Sequence, residues 1–379
     1  MSPRAKRLAA TLAGMLAATV AAVLTATPAP AAVVPGIRSA PVPDWVMTVP
    51  LAQRDADVRR VMDYWTPDRL KAASSYATPA RRAPQTSPTP TGTTTATSAD
   101  AGRPTTVQPT RGRAQVKNGL PTTVGKVFFR IGDRHYFCSA TAVHSPNRNL
   151  VATAAHCAYD VQQMKPVEDW IFIPGYTADG RTEWGIYVGH TLNLHDNFAG
   201  LVDWDYDYAF VTVHRGFTWE PEKDAKGNPK RDAKGNPVYR RVDVGRLEDN
   251  VGGQGFLWNQ PRNVVTHAFG YPAGEQPDGT RPFDGTSMRW CVTRTRIRVT
   301  APNLLLNRGL AFPCMFTAGA SGGPWLVRYN STTGNGYLNG VNSRTWDRNA
   351  DRRYDHISSP SFTKSTYVIY KIATTQGTG

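Results

Sequence analysis

The sequence predicts an all-β domain of two packed barrels, preceded by a short helical segment and a disordered linker. Three observations carry that prediction. From Val124 onward the chain runs in short segments rich in β-branched and aromatic residues, among them VGKVFFRI, HYFCSATAV, YAFVTV and PWLVRY, separated by Gly, Asn, Asp and Pro. Helical patterning is nearly absent from this region until STYVIYKIA near the end. The roughly 250 residues so patterned suit two barrels.

The N-terminal region divides in order. MSPRAKR is basic, LAATLAGMLAATVAAVLTA is apolar, and A-P-A-A ends at Ala32, so residues 1–32 read as a signal peptide and the protein as secreted and extracellular. A membrane anchor is the competing reading, disfavoured by the alanine content and the cleavage-like ending. Val58, Val61, Met62 and Trp65 fall at helical spacing, and Thr66 then offers a cap with Pro67 at the first helical position. Residues 77–113 are rich in Pro, Thr and Ser and too poor in large apolar residues to pack, which reads as a disordered linker. Residues 33–115 therefore look like a propeptide, with a wall-spanning stalk as the alternative, and residues 116–379 like the mature domain. Inside that domain DAKGNP occurs twice, at Asp224–Pro229 and Asp232–Pro237, the mark of a duplicated surface hairpin.

Charge separates along the same boundary. Residues 1–121 hold 15 Lys and Arg against 6 Asp and Glu, so +9 of the formal +15 lies there. Arg294, Arg296 and Arg298 alternate with Thr295, Ile297 and Val299 at the period of a half-buried strand, a solvated face rather than a nucleic-acid groove. No nucleic-acid partner is expected. Four cysteines, Cys138, Cys157, Cys291 and Cys314, show no C-x-x-C spacing, so an exported chain points to two disulfides among three possible pairings. Sequence-local pairing joins Cys138 to Cys157 and Cys291 to Cys314, each closing a loop worth about 3 kcal/mol if unstrained.

TAGASGGPWLV, residues 317–327, sets Ser321 among small residues. Read as G-x-S-x-G it could be the strand-to-helix elbow of an α/β-hydrolase, whose acid and histidine must follow the serine. Only His356 lies in the 58 residues beyond it, and the helical repeats of that fold are missing. Upstream, VATAAHCAYD presents His156 and DWDYDYAFVTV presents Asp207, giving the order His156, Asp207, Ser321. A serine hydroxyl is a weak nucleophile near neutral pH. An imidazole can take its proton and return it to the leaving group, and a carboxylate can fix the imidazole tautomer. Gly319 and the glycines after Ser321 let the amides of Gly319 and Ser321 point at one spot, an oxyanion hole.

The segments CSATAV, ATAAHC, DYAFVTV and GASGGPW resemble the anchoring motifs of trypsin-like serine peptidases over roughly residues 122–370. That resemblance implies two six-stranded antiparallel β-barrels with a C-terminal helix, and a serine endopeptidase acting through an acyl-enzyme. It implies His156 as base, Asp207 as orienting acid, Ser321 as nucleophile, and Cys138 bridged to Cys157 beside the histidine. FGYPAG at Phe269–Gly274 looks closer to the bacterial glutamyl-endopeptidase-like branch than to digestive trypsins. By the same resemblance the substrate pocket has its floor at Met315 and a wall after Ser343, with Thr317 nearby. Met315 cannot pair with Lys or Arg, so an apolar or small residue is expected at the cleaved bond, while Thr317 and Arg344 leave an acidic preference open. Asn342 stands where the branch's pocket histidine is expected. In digestive trypsins an aspartate before the nucleophile holds the freed N-terminus; here that residue is Ala320, so the turn must be ordered by other neighbours.

A serine esterase on the same fold and a non-catalytic peptidase-fold binding protein are the alternative functions. DWDYDY mimics a calcium loop, but Tyr208 replaces the sixth-position Gly and His214 the twelfth-position Glu, so no EF-hand is read and no metal or cofactor is expected. The expected partners are protein or peptide substrates, with no stable membrane insertion once the signal peptide is cut, and the protein is expected to be a monomer.

Overall fold

The computed structural model describes residues 41–78 and 105–378, apart from Gln115, Asn118, Ala178, Gly180, Arg181, Lys234, Asn236, Pro237, Thr295 and Arg296. The expected signal peptide and most of the expected linker lie outside the described residues. From Val42 on, the chain forms one unit. It begins with strand β1 (Val46–Pro50), helices α1 (Asp55–Tyr64) and α2 (Pro67–Ala72), and the two-residue strand β2 (Ser74–Ser75). Helix α2 starts as the sequence predicts: Thr66 accepts a hydrogen bond from the Arg69 amide and Pro67 opens the helix.

Six strands then close a barrel: β3 (Val124–Ile131), β4 (Arg134–Val143), β5 (Leu150–Thr153), β6 (Glu168–Pro174), β7 (Tyr187–His195) and β8 (Ala209–Val213). Pairing runs β3-β4-β5-β8-β7-β6 and back to β3, all antiparallel. A two-residue turn at Gly132 and Asp133 sets the β3–β4 register, with Ile131 opposite Arg134. Closure removes the edges, and Val127, Phe128, Phe172 and Phe210 of its strands are fully buried. Where β7 runs past the end of β6, β1 adds to it antiparallel, Val46 opposite His195 and Pro50 opposite Thr191. This strand is absent from the sequence-based prediction.

Both DAKGNP copies lie between β9 (Gly216–Pro221) and β10 (Tyr239–Gly245), which pair antiparallel; the first copy turns on itself, the Asp224 amide donating to the Asn228 carbonyl, and Lys234, Asn236 and Pro237 of the second lie outside the described residues. The second half of the domain contains two sheets. The first orders β11 (Gly255–Phe256), β12 (Thr266–Gly270), β13 (Arg289–Thr293), β16 (Pro324–Asn330) and β17 (Asn335–Val341) as β11-β17-β16-β12-β13. The second orders β14 (Ile297–Ala301), β15 (Leu306–Pro313), β18 (Arg344–Trp346) and β19 (His356–Ser359) as β14-β15-β19-β18. Between them Trp325 is fully buried, with its ring 4.3 Å from that of Phe312. The architecture is the predicted double barrel, with the second half built as a five-stranded and a four-stranded sheet.

Two sequence readings change. The single strand expected through RWCVTRTRIRV divides into β13 and β14, which belong to different sheets, and Arg298 faces solvent with its Nε on the Asn307 carbonyl. Arg296 lies outside the described residues. Residues 105–114, assigned to the linker from their Pro and Thr content, pair with the second half: Val107 bridges Phe256, and Thr110 bridges Gly253 and donates through Oγ1 to Glu248. The packed body therefore begins ahead of residue 116.

Helix α3 (Lys364–Ala373) opens on a capping box made by Thr363 and Thr366. It lies on β7 and β8 of the first barrel. Tyr370 stacks on Phe256 at 4.5 Å and donates from Oη to the His144 carbonyl. Tyr370→Ala should thus cost about 3–5 kcal/mol of unfolding free energy, whereas Tyr370→Phe should cost about 1 kcal/mol, both read by urea titration. Equal losses in the two variants would contradict the stacking argument.

Lys126 of β3 is 5% exposed and encaged by aromatic rings, its Nζ 3.6 Å from the Phe137 centroid and 4.6 Å from that of Tyr176. Burial pushes its ammonium down from 10.5 to about 7, with the Asp284 charge opposing weakly. The unfolded chain keeps this proton up to about pH 10.5 and the folded chain only to about 7, so stability should rise with pH across that window. Lys126→Met should flatten the rise and add up to ~4 kcal/mol below pH 7, measured by denaturant unfolding at several pH values.

Candidate active site

His156 sits in a 3₁₀ turn (Ala155–Cys157) that ends β5, and Asp207 follows a second 3₁₀ turn (Trp204–Tyr206) that leads into β8. Because β5 and β8 are neighbours, their ends bring the two residues together. Asp207 is fully buried. Its carboxylate accepts from His156 Nδ1 at 2.9 Å, from the His156 backbone amide at 3.0 Å, and from Ser343 Oγ at 2.6 Å. With Nδ1 donating to this carboxylate, the imidazole is held in the tautomer that leaves Nε2 free to accept a proton. The Cys138–Cys157 disulfide anchors the turn beside the histidine, and Cys291–Cys314 ties β13 to the chain leaving β15.

Ser321 lies across the cleft on a tight turn ahead of β16. Gly319 has φ +96, and a Cβ there would come within 2.6 Å of the Tyr271 carbonyl. At Gly322, with φ +80, a Cβ would meet Thr153 Oγ1 at 2.1 Å. Only glycine fits either place. Two side chains hold the turn from outside. Ser139 Oγ donates to the Gly319 carbonyl at 2.9 Å and accepts from the Tyr271 amide at 2.9 Å, while the Ser139 amide donates to the Ser321 carbonyl at 2.7 Å. Asn342 Nδ2 donates to the Ala320 and Phe269 carbonyls at 2.9 and 2.8 Å, and its Oδ1 accepts from Trp325 Nε1. These are the neighbours that order a turn lacking an acidic residue at position 320. Sequence reasoning missed Ser139, although it stands in the quoted CSATAV motif directly after Cys138.

His156 and Ser321 line one cleft of about 460 Å³ together with Trp204, Ser343 and Arg344. Among the described residues no hydrogen bond joins Ser321 Oγ to the imidazole, and the ring is 2% exposed. Residues 74–78 also line this cleft. A larger cavity of about 970 Å³, bordered by Trp65, Leu70 and Trp219, includes neither His156 nor Ser321.

The residues expected to form the substrate pocket separate. Met315 is 63% exposed and is not part of the cleft wall, so it does not form the floor assigned to it from the sequence. Thr317 is buried, with its Oγ1 lacking a partner among the described residues, and its carbonyl accepts from the Ala320 amide. Ser343 reaches both the cleft and Asp207. Arg344 holds its guanidinium 4.4 Å over the Trp204 ring. Burial lowers its pKa, opposed by the charge of Asp207, and it makes no ion pair within 4 Å among the described residues. Asn342, spent on the turn and on Trp325, does not contribute a pocket side chain.

No protein-family model matches this chain, and neither does any curated protein. Among solved structures it is similar to the thermostable serine protease AL20 from an extremophilic microorganism, at 26% identity over 68% of this chain and 98% of that one, with a TM-score of 0.52. It is also similar to the protease Anisep from Arthrobacter nicotinovorans, at 25% identity over 67% and 96% of the two chains and a TM-score of 0.52. A structure of Glu endopeptidase in complex with MPD is more distant, at 16% identity over 70% and 98% and a TM-score of 0.46. The chain has the trypsin-like serine-protease fold, and its likeness is to bacterial proteases of that fold.

Proposed function

We propose that this protein is a secreted serine endopeptidase in which Ser321 attacks the peptide carbonyl, His156 takes its proton and gives it to the leaving amine, and Asp207 stabilises the imidazolium. The amides of Gly319 and Ser321 receive the developing oxyanion. The observation that carries this reading is the buried Asp207 carboxylate, which orients His156 toward the cleft that Ser321 lines. In the second step water replaces the leaving peptide, His156 removes its proton, and Ser321 departs as the protonated hydroxyl. Residues 33–115 contain the propeptide, removed on maturation. Since Ser139 and Asn342 hold the oxyanion turn, no ion pair from a new N-terminus is required.

Two disulfides support an extracellular setting. A second reading concerns specificity. The half-buried guanidinium of Arg344, without an ion pair among the described residues, lines the same cleft as Ser321 and favours substrates bringing a carboxylate there, while disfavouring Lys and Arg at the cleaved bond.

A fluorophosphonate should label the processed protein at Ser321 and leave Ser321→Ala unlabelled, as read by peptide mapping. His156→Ala should lower kcat/KM for a peptide substrate by about 10⁴–10⁶-fold. Unchanged turnover in that variant would refute the assignment. For the specificity reading, Arg344→Met should reduce kcat/KM for a peptide with Glu at the cleaved position by about 10–100-fold relative to the same peptide with Leu. A parallel loss on both peptides would mean that Arg344 supports the fold of the cleft instead.

A further inference from the structure

Residues 42–78, which the sequence reading set aside as part of a propeptide, are bound to the first barrel, and their last five residues lie in the cleft. Strand β2 pairs parallel with β4, Ser74 beside Tyr136 and Ser75 beside Phe137, and the Tyr76 amide donates to the Phe137 carbonyl at 3.0 Å. Ser75 lies on the oxyanion turn, its Cβ 3.1 Å from the point where a side chain on Gly319 would begin. Tyr76 is 3% exposed, its ring 5.3 Å from Phe129, 5.1 Å from Tyr136 and 6.0 Å from the imidazole of His156. With Trp204 on another side of the imidazole at 5.5 Å, this aromatic cover accounts for the burial of a base that must meet substrate.

The segment is firmly docked upstream. Trp65 is 1% exposed and donates from Nε1 to the Asp169 carbonyl. The Asp169 carboxylate, itself buried, is shared by Arg60 of α1 and Arg130 of β3. Tyr64 Oη and His135 Nε2 are 2.7 Å apart, and five residues of β1 pair with β7. Burial of Trp65 and a paired internal carboxylate resist dissociation more strongly than the exposed contacts of a mobile tail. Among the described residues no strap carbonyl bonds to the amide of Gly319 or Ser321.

We propose that Ser74–Thr78 is an autoinhibitory strap, with Tyr76 as the plug over His156, held by the docked helices α1 and α2 so that the chain is inactive until the strap leaves. The proposal rests on the serine-endopeptidase reading of the same cleft. It assigns the blocking action to one aromatic side chain and one short strand, and it makes departure of residues 42–78, beyond a cut in the chain that follows them, the activating event.

The test follows fluorophosphonate labelling by intact mass, which scores uncut and processed protein separately in one sample. The uncut wild-type chain should label at least about 100-fold more slowly than protein that has lost the strap. Tyr76→Ala should speed labelling of the uncut chain about tenfold or more, while Tyr76→Phe, which keeps the ring, should stay slow. A synthetic peptide of residues 54–78 should inhibit the processed protein, and its Tyr76→Ala form should be at least about tenfold weaker, a measurement independent of how the variant chain folds. Equal labelling of uncut and processed wild type, or equal inhibition by the two peptides, overturns the strap and leaves the peptidase reading standing. Failure of both forms to label at Ser321 overturns the peptidase reading and the strap with it.

Discussion

The buried carboxylate of Asp207 is the constraint around which the domain is arranged. A charge without solvent is tolerated only when its lone pairs are filled, and here three donors fill them. Two come from His156, which the adjacency of β5 and β8 within the first barrel brings close. The third, Ser343 Oγ, comes from the second half of the domain, just before β18. The packing of the two halves thus has a polar checkpoint at its centre: unless they meet correctly, Asp207 loses a partner it cannot replace with water. The same approach carries the Ser321 turn to the cleft.

The turn itself depends on the reverse traffic. Ser139, in the first barrel, bonds to the carbonyls or amides of Gly319, Ser321 and Tyr271, all in the second half. Asn342 grips the same turn from the far side and is locked in place by the buried indole of Trp325. An apolar cluster of Phe312, Phe316, Ala320, Trp325 and Ile357 lies beneath it. Backbone dipoles that must face a developing negative charge are useful only if they do not need to reorganise, and here the order comes from side chains fixed by packing.

The meeting of His156 with Asp207 and both disulfides were legible because each rests on local motifs, where residue identity and spacing carry the message. The Thr66-Pro67 helix start was legible for the same reason: capping is a local affair. What escaped was governed by partners distant in the chain. Strand β1 joins the sheet through backbone hydrogen bonds in a segment, DWVMTVP, too short to show a period. Residues 105–114 are poor in apolar side chains, yet they pair by backbone with Gly253 and Phe256. The placing of Met315 at a pocket floor rests on resemblance, which assumes a loop of fixed shape, and its side chain is instead exposed to solvent. Ser139 could not be singled out because nothing in its neighbours marks a serine whose partner lies 180 residues away.

The C-terminal tail completes the first barrel. Beyond α3, the side-chain amide of Gln376 exchanges hydrogen bonds with that of Asn193 in β7, its carbonyl accepts from Asn147, and Thr378 Oγ1 donates to the Val213 carbonyl. Polar groups of β7 and β8 therefore find partners in residues 376–378. A chain emerging from its N-terminus can pair the strands of that barrel early, but it cannot finish their hydrogen bonding until the whole second half has followed. The two halves are distinct in sequence and in sheet topology, yet they are stitched into one vectorial folding unit, and premature termination would leave the earliest-made barrel with unsatisfied amides.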